Sequence, residues 1–432
     1  MQLEQTQLAE SAEAPRKRLQ FSKIVGPGLI TGASDDDPSG IATYSQAGAR
    51  FGFGMCWAMI ATYPLMSAVQ MISGRIGRTT GHGIAGNLAR CYPRWLLISM
   101  VTLLVAANTI NIGADLGAMA DASALVLGGP TQIYLVAFAL FCALTEVFAK
   151  YKRYVRLLKW LTLALFAYVA TLFLVDVPWG EALRSMAIPR ISLEPAYLTM
   201  VVAVLGTTIS PYLFFWQASE EAEEVREDPD SEPLVCAPAD GPVELERIEL
   251  DTLVGMAFSN IVALSIMLTT AATLHVGGVT NIETSAQAAE ALRPFAGNFA
   301  TIVFAIGIIG TGLLAVPVLA GSAAYALGEA VGRPVGLARK PRKAKTFYGA
   351  IVAATLVGAA MNLTSIDPIK ALYWSAVVNG IVSVPVMAMM MVMAARRDIM
   401  GRFTVSGLLL SLGWLTTLLM GAAVVAMLLL SI

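Results

Sequence analysis

Three consecutive carboxylates, Asp35, Asp36 and Asp37, stand directly before Pro38, Ser39 and Gly40, inside an otherwise apolar segment from Ile24 to about Ala49. Charge at membrane depth is costly and marks function by default. Pro and Gly at that depth leave backbone carbonyls without helical partners, which is tolerated only where they line a cavity. Carboxylates and free carbonyls are the ligands of hard divalent cations. The segment reads as half of a cation site, and the chain as a transporter. A second segment runs Gly206, Thr207, Thr208, Ile209, Ser210, Pro211, Tyr212 and again sets a Pro among Gly and hydroxyl residues. Each Pro alone could be an ordinary kink. Two interruptions at corresponding places of two halves point instead to inverted repeats with a site between them.

The elements that must hold these residues are membrane helices. The chain is 56% hydrophobic and 14% charged, against about 25% charged in soluble domains, and long apolar stretches recur from end to end. Eleven spans are expected, at 24–49, 52–74, 96–127, 131–149, 154–175, 197–219, 252–275, 297–328, 346–363, 369–394 and 403–430. The expected class is an all-α polytopic membrane protein with a 5+5 inverted repeat and discontinuous helices one and six. Repeat one covers about 24–175, repeat two about 197–394, and 403–430 is an extra helix. Residues 1–20 form a polar tail with no cleaved signal peptide expected, and 21–430 one transporter domain. Loop charges set the orientation. With the N-terminus inside, all but five of the 29 Lys and Arg residues fall on the cytoplasmic side (the five are Arg50, Arg184, Arg190, Arg293 and Lys370). An odd number of spans then puts the C-terminus outside, in a cell inner (plasma) membrane. Residues 220–251, acidic and Pro-containing, are expected to be a mobile cytoplasmic loop, either a cation-attracting vestibule or a solvated linker.

The four cysteines (Cys56, Cys91, Cys142 and Cys236) have no metal spacing. The net charge of -1 and the lack of a basic patch give no sign of nucleic acid. No P-loop, Gly-x-Ser-x-Gly or metal-hydrolase motif suggests an enzyme. No cofactor and no obligate protein partner are expected; the partners are the bilayer and a divalent metal ion carried as substrate.

These motifs resemble the natural resistance-associated macrophage protein (NRAMP) family of divalent-metal transporters, from Gly26-Pro27-Gly28 to the tenth span. The family's first broken span carries Asp-Pro-Gly-Asn, its sixth Met-Pro-His, and its third an Asn-rich face followed by Asp-Leu-Ala-Glu. Here the matching residues are Asp37-Pro38-Ser39-Gly40, Ser210-Pro211-Tyr212, and Asn108 and Asn111 followed by Asp115-Leu116-Gly117-Ala118. The resemblance implies that Asp37 is the metal carboxylate, while the amide ligand is lost at Gly40 and the thioether at Ser210. It also implies that the carbonyls of Ser34 and Thr207 face the ion. Asn379 lies near the family's span-ten amide, or is a helix–helix hydrogen bond. Sulfur favours transition metals, whereas carboxylate, carbonyl and water suit magnesium, calcium and manganese. A wide, all-oxygen pocket that includes Ser39 suits a largely hydrated ion, because magnesium sheds water reluctantly. The departures look like the NRAMP-related magnesium transporters.

Asp36 is read as shaping the vestibule field, and Asp35 as satisfied by backbone donors at the break. The family's proton-moving His is Tyr212 here, the span-three Glu is Ala118, and the ninth span lacks Arg. Tyr, with an ordinary pKa of about 10, does not cycle protons near neutrality. Asp115 remains, on one helix face with Asn108 and Asn111, which also reads as a buried polar seam. The expected function is therefore transport of Mg2+, with Mn2+ also carried, not coupled to protons. The alternatives are a proton-coupled Mn2+ or transition-metal symporter and, further off, an amino-acid transporter of the same fold.

Overall fold

The computed structural model describes residues 27–148, 165–363 and 367–430, which hold helices and connecting segments and no strand. In chain order the helices are α1 (Pro27–Asp35), α2 (Pro38–Phe51), α3 (Trp57–Thr80), α4 (Ile84–Cys91), α5 (Arg94–Leu127) and α6 (Thr131–Phe148). Then come α7 (Phe166–Thr171), α8 (Trp179–Ala187), α9 (Pro195–Thr208), α10 (Pro211–Glu227), α11 (Gly241–Thr270), α12 (Ser285–Glu290) and α13 (Arg293–Ala296). The last are α14 (Ala300–Ala330), α15 (Lys345–Met361), α16 (Pro368–Ala395), α17 (Arg397–Met400) and α18 (Gly407–Leu430). The architecture is all-α, with two discontinuous helices, α1–α2 and α9–α10, at matching places of two inverted halves, and α18 after the second.

Among the described residues seven helices are long and apolar enough to cross a membrane, with α9 and α10 taken together. The number is eight if Pro38–Met55 and Trp57–Thr80, bent by 107°, count as one span. Helix α15 is a shorter apolar helix of 17 residues. The tail 1–20 and the first half of the expected fifth span, 154–175, lie outside the described residues.

Five prolines show why these helices break where they do. Pro64, Pro317 and Pro385 sit inside continuous helices, each preceded by a residue that cannot cap (Tyr63, Val316, Val384). Pro38 and Pro211 instead follow Asp37 and Ser210, and each starts a new helix as its first residue. A Pro at that position has no amide to lose, and a polar residue before it can take over helix-end hydrogen bonds. Sequence therefore dictates restart at two prolines and continuation at three.

Small residues let the half-helices approach their neighbours, the usual packing device between membrane helices. A Cβ at Gly32 of α1 would strike the backbone of Gly255 in α11, and one at Gly206 of α9 would strike Ala376 O and the Gly380 backbone in α16.

The segment 220–251 corrects the expectation of a mobile loop. Residues up to Glu227 continue α10, and α11 begins at Gly241. The reason is long-range pairing. Glu221, fully buried, meets Arg247 of α11, which also pairs with Glu244, and Glu244 pairs with Arg78 of α3. Glu223 accepts from the backbone amides of Leu337 and Ala338 and from the Tyr325 hydroxyl of α14. Charges that read as a solvated run are the fastening of one end of the bundle.

Candidate metal centre

Asp37 is the centre of the first break. Its extended backbone (φ -70°, ψ 170°) ends one half-helix and begins the next. Its Oδ1 caps α2, accepting from Gly40 N at 2.7 Å and from Ser39 Oγ at 2.6 Å. Its Oδ2 accepts from Asn111 Nδ2 of α5 at 2.8 Å. The carboxylate is 2% exposed, and none of the ion pairs among the described residues reaches it. An isolated buried carboxylate is strongly unfavourable, and the partial positive charge at the start of α2 offsets only part of that.

The second break faces the first. At Gly40 an added Cβ would lie 3.1 Å from Thr207 Oγ1 of α9, 3.3 Å from the Tyr44 ring and 3.5 Å from Asp37 Oδ1. The side chain missing at Gly40 thus leaves space shared by the acid and the Thr207 hydroxyl, which is buried beside Tyr44. Tyr212, the second residue of α10, donates to Ser34 O at 3.1 Å and ties the two breaks together. Ser210 turns back on its own helix, donating to Gly206 O at 2.6 Å and Thr207 O at 3.0 Å. Ser383 of α16 donates to Ile209 O at 2.6 Å. The expectation that the Ser34 and Thr207 carbonyls stand free is therefore corrected: Ser34 O accepts the Tyr212 hydroxyl hydrogen, and Thr207 O shares the single Ser210 hydrogen with the nearer Gly206 O. Asn379 lies one turn before Ser383, whose hydroxyl also reaches Asn379 O, and both polar atoms of its side chain are buried and unpaired.

The other acids separate. Asp35 and Asp36 turn to α11, where Ser259 Oγ lies 2.5 Å from Asp35 Oδ2 and 3.2 Å from Asp36 Oδ1. Asp35 is thus held by a side-chain hydroxyl rather than the expected backbone donors, and Asp36 stands apart from the donors around Asp37. Asp115, one turn beyond Asn111 on α5, is fully buried beside the Ser39 backbone. The polar seam of α5 divides: Asn108 donates to Leu319 O and Ser322 Oγ of α14, as a helix–helix fastening would, whereas Asn111 belongs to Asp37. Asn111, Ser259 and Tyr44 were not among the sequence-derived site residues. The one signal for Asn111 was its helical spacing to Asp115. Among the described residues no three His, Cys, Asp or Glu side chains gather as a metal-holding group. The arrangement is one carboxylate held by a hydroxyl and two N–H groups, all neutral.

Two opposed broken helices with a buried, uncompensated acid between them define a secondary transporter of the inverted-repeat class. The chain belongs to the Nramp (natural resistance-associated macrophage protein-like) family, whose profile matches residues 28–430. It is 24% identical over 316 residues to the divalent metal cation transporter MntH of Erwinia tasmaniensis, covering 72% of this chain and 73% of that one. The fold is that of the Eremococcus coleocola manganese transporter, with a TM-score of 0.71 at 16% identity, covering 96% and 88% of the two chains. It also resembles MhsT, solved with L-phenylalanine, with a TM-score of 0.62 at 12% identity, covering 95% and 98%.

Proposed function

We propose that this chain is a multi-pass membrane transporter of divalent metal cations, with Asp37 as the substrate-binding acid and Mg2+ as the preferred ion. It is a transporter and not an enzyme. The carrying observation is the buried Asp37 carboxylate at a helix break, without a counter-ion and among neutral polar groups. The relatives named above support the class of substrate. The donor set supports the preference: carboxylate, hydroxyl, amide and carbonyl oxygens favour hard cations, and no sulfur stands at Ser210 to hold a softer one. The open space at Gly40 suits an ion that keeps part of its water. Further ligands in this reading are Ser39, Thr207, Asn379 and the carbonyl of Ser34, with Tyr212 as a gate tie. Loop charge supports a plasma-membrane orientation with the N-terminus in the cytoplasm. Inward movement of a divalent ion then draws on the membrane potential, about 2.3 kcal/mol per charge per 100 mV.

A second reading, proton-coupled manganese transport, is favoured by the relatives, a divalent metal cation transporter and a manganese transporter. The amino-acid reading has only the likeness to MhsT in its favour, and Asp37 would repel a substrate carboxylate. Uptake of Mg2+ and Mn2+ into proteoliposomes under an inside-negative potential, with internal pH followed, separates the three. Mg2+ entry without acidification, abolished in Asp37→Ala, is the expected result. Entry of Mn2+ alone with acidification overturns the finer reading, and uptake unchanged in Asp37→Ala overturns the site.

A further inference from the structure

Tyr44 stands one turn after Gly40 on α2, so the two share a helix face. An added Cβ at Gly40 would lie 3.3 Å from Tyr44 Cε2, the ring carbon next to the one that bears the hydroxyl. The same Cβ would lie 3.1 Å from Thr207 Oγ1 and 3.5 Å from Asp37 Oδ1. The acid, the Thr207 hydroxyl and the phenol ring edge therefore meet over the bare Cα of Gly40. Tyr44 and Thr207 are 0% and 1% exposed, so neither side chain swings out to solvent. The Tyr44 hydroxyl lies against that of Thr207, and neither has another hydrogen-bond partner among the described residues. A hydroxyl has one hydrogen to give and two lone pairs to accept with. Paired with each other, the two spend one hydrogen and one lone pair. The other hydrogen and the remaining lone pairs are left over, buried beside an acid. Buried polar capacity of that kind is normally filled by protein or by water.

We infer that Tyr44 is the specificity-determining residue of the Asp37 site: its hydroxyl, with that of Thr207, holds a water that the bound cation keeps. The inference rests on the reading of Asp37 as the substrate-binding acid. A side chain at position 40 is closed off as a direct ligand, because its Cβ would already crowd Thr207 and the Tyr44 ring. A water is not tied to the backbone and settles between the hydroxyl pair and the ion, where bridging is nearly as favourable as a direct hydrogen bond. Water on a divalent cation turns its oxygen to the metal and its hydrogens outward. It therefore needs acceptors, and the hydroxyl lone pairs are acceptors. Mg2+ sheds water reluctantly and gains most from them, whereas an ion that enters with less water gains less. The site thus weighs divalent ions by the hydration they keep.

The test is uptake of Mg2+ and of Mn2+ by the full chain in proteoliposomes, each over a range of concentrations, beside thermal unfolding of every variant. Tyr44→Phe keeps the ring and removes the hydroxyl. It is expected to raise the half-saturating Mg2+ concentration about tenfold, the scale of one lost hydrogen bond, and to leave that for Mn2+ within about threefold. Gly40→Ala, which presses a methyl into the water's place, moves the ratio of the two in the same direction. The double variant shifts it no further than the larger single change, because both remove one water. Equal shifts for the two ions in Tyr44→Phe, a ratio unchanged in both single variants, or full additivity in the double variant overturns the inference. A merely structural role for Tyr44 lowers the melting temperature and leaves the ratio alone. Uptake of neither ion by the wild type, or uptake indifferent to Asp37→Ala, strikes the transport reading itself, and the inference falls with it.

Discussion

Among the described residues Asn111 is the one side chain from another segment that hydrogen-bonds Asp37, and replacing it by Ala removes that contact. Asp37 Oδ1 is already committed to the start of α2, where it accepts from Ser39 Oγ and Gly40 N. Oδ2 accepts only from Asn111, at 2.8 Å, and so carries the lone pair with which the acid can hold a cation. The amide fixes the direction of that lone pair, and its own Oδ1 is buried and unpaired, available as a neutral donor. A hydrogen bond to a charged group contributes about 1.5–3 kcal/mol, which at ~1.4 kcal/mol per decade is roughly 10- to 150-fold in affinity. Asn111→Ala is expected to raise the half-saturating Mg2+ or Mn2+ concentration for uptake by that range.

Asn108→Ala is the control. Asn108 lies one turn away and donates to Leu319 O at 2.9 Å and Ser322 Oγ at 2.7 Å of α14, with no contact to Asp37. Its loss should lower the melting temperature, at about 1 kcal/mol per hydrogen bond, and leave cation affinity within about twofold of wild type. Proteoliposome uptake over a range of Mg2+ concentrations, beside thermal unfolding of both variants, decides the matter. Unchanged or tighter affinity in Asn111→Ala, or equal shifts in the two variants, would refute the argument that α5 orients the acid.

Ser210→Met places a thioether at the second break, and the ratio of Cd2+ to Mg2+ uptake should rise by about tenfold (~1.4 kcal/mol); competition assays read it directly. Arg247→Ala strands Glu221, which is fully buried, and loss of one partner of such a pair costs about 3–5 kcal/mol, visible as a large fall in thermal stability. His82 lies in the turn after α3, where burial first and then Arg90 and Arg226 hold its pKa below the ordinary value. The folded state therefore favours neutral His82. Its contribution is present above the unfolded pKa of about 6.5 and is lost as pH falls below it, so unfolding curves between pH 7 and pH 5 should flatten in His82→Gln.

The two breaks were legible because their signal is local. Asp before Pro38 and Ser before Pro211 are helix-starting pairs, and the residues before Pro64, Pro317 and Pro385 are not. Asp37 as the central acid follows from the same six residues. What sequence spacing could not carry is the partner of each polar group. Asn111 meets an acid 74 positions away, and Ser259 meets Asp35 across 224. Residues 220–251 failed for the same reason. Composition registers five glutamates between 220 and 227 but not Arg247, the backbone amides of Leu337 and Ala338, or the Tyr325 hydroxyl that satisfy them. The free carbonyls were misjudged more subtly: the break does release them, and the hydroxyls of Ser210, Ser383 and Tyr212 then take them up.

Tyr212 bears on coupling. The hydrogen bond from its hydroxyl to Ser34 O joins the two broken helices, so any opening between them must break or carry that contact. A phenol with an ordinary pKa of about 10 stays protonated across the physiological range, where an imidazole would change charge. The tie between the breaks is thus indifferent to pH. Any proton linkage must then pass through an acid in the membrane interior, and on α5 beside Asn111 that acid is Asp115, fully buried. Asp115→Asn distinguishes the cases. If cation entry proceeds without internal acidification in the wild type and Asp115→Asn keeps most of the uptake rate, Asp115 shapes the pocket and the membrane potential drives transport. If the wild type acidifies the lumen and Asp115→Asn abolishes that acidification while metal still enters, the chain couples protons through a single carboxylate, and uncoupled transport is refuted.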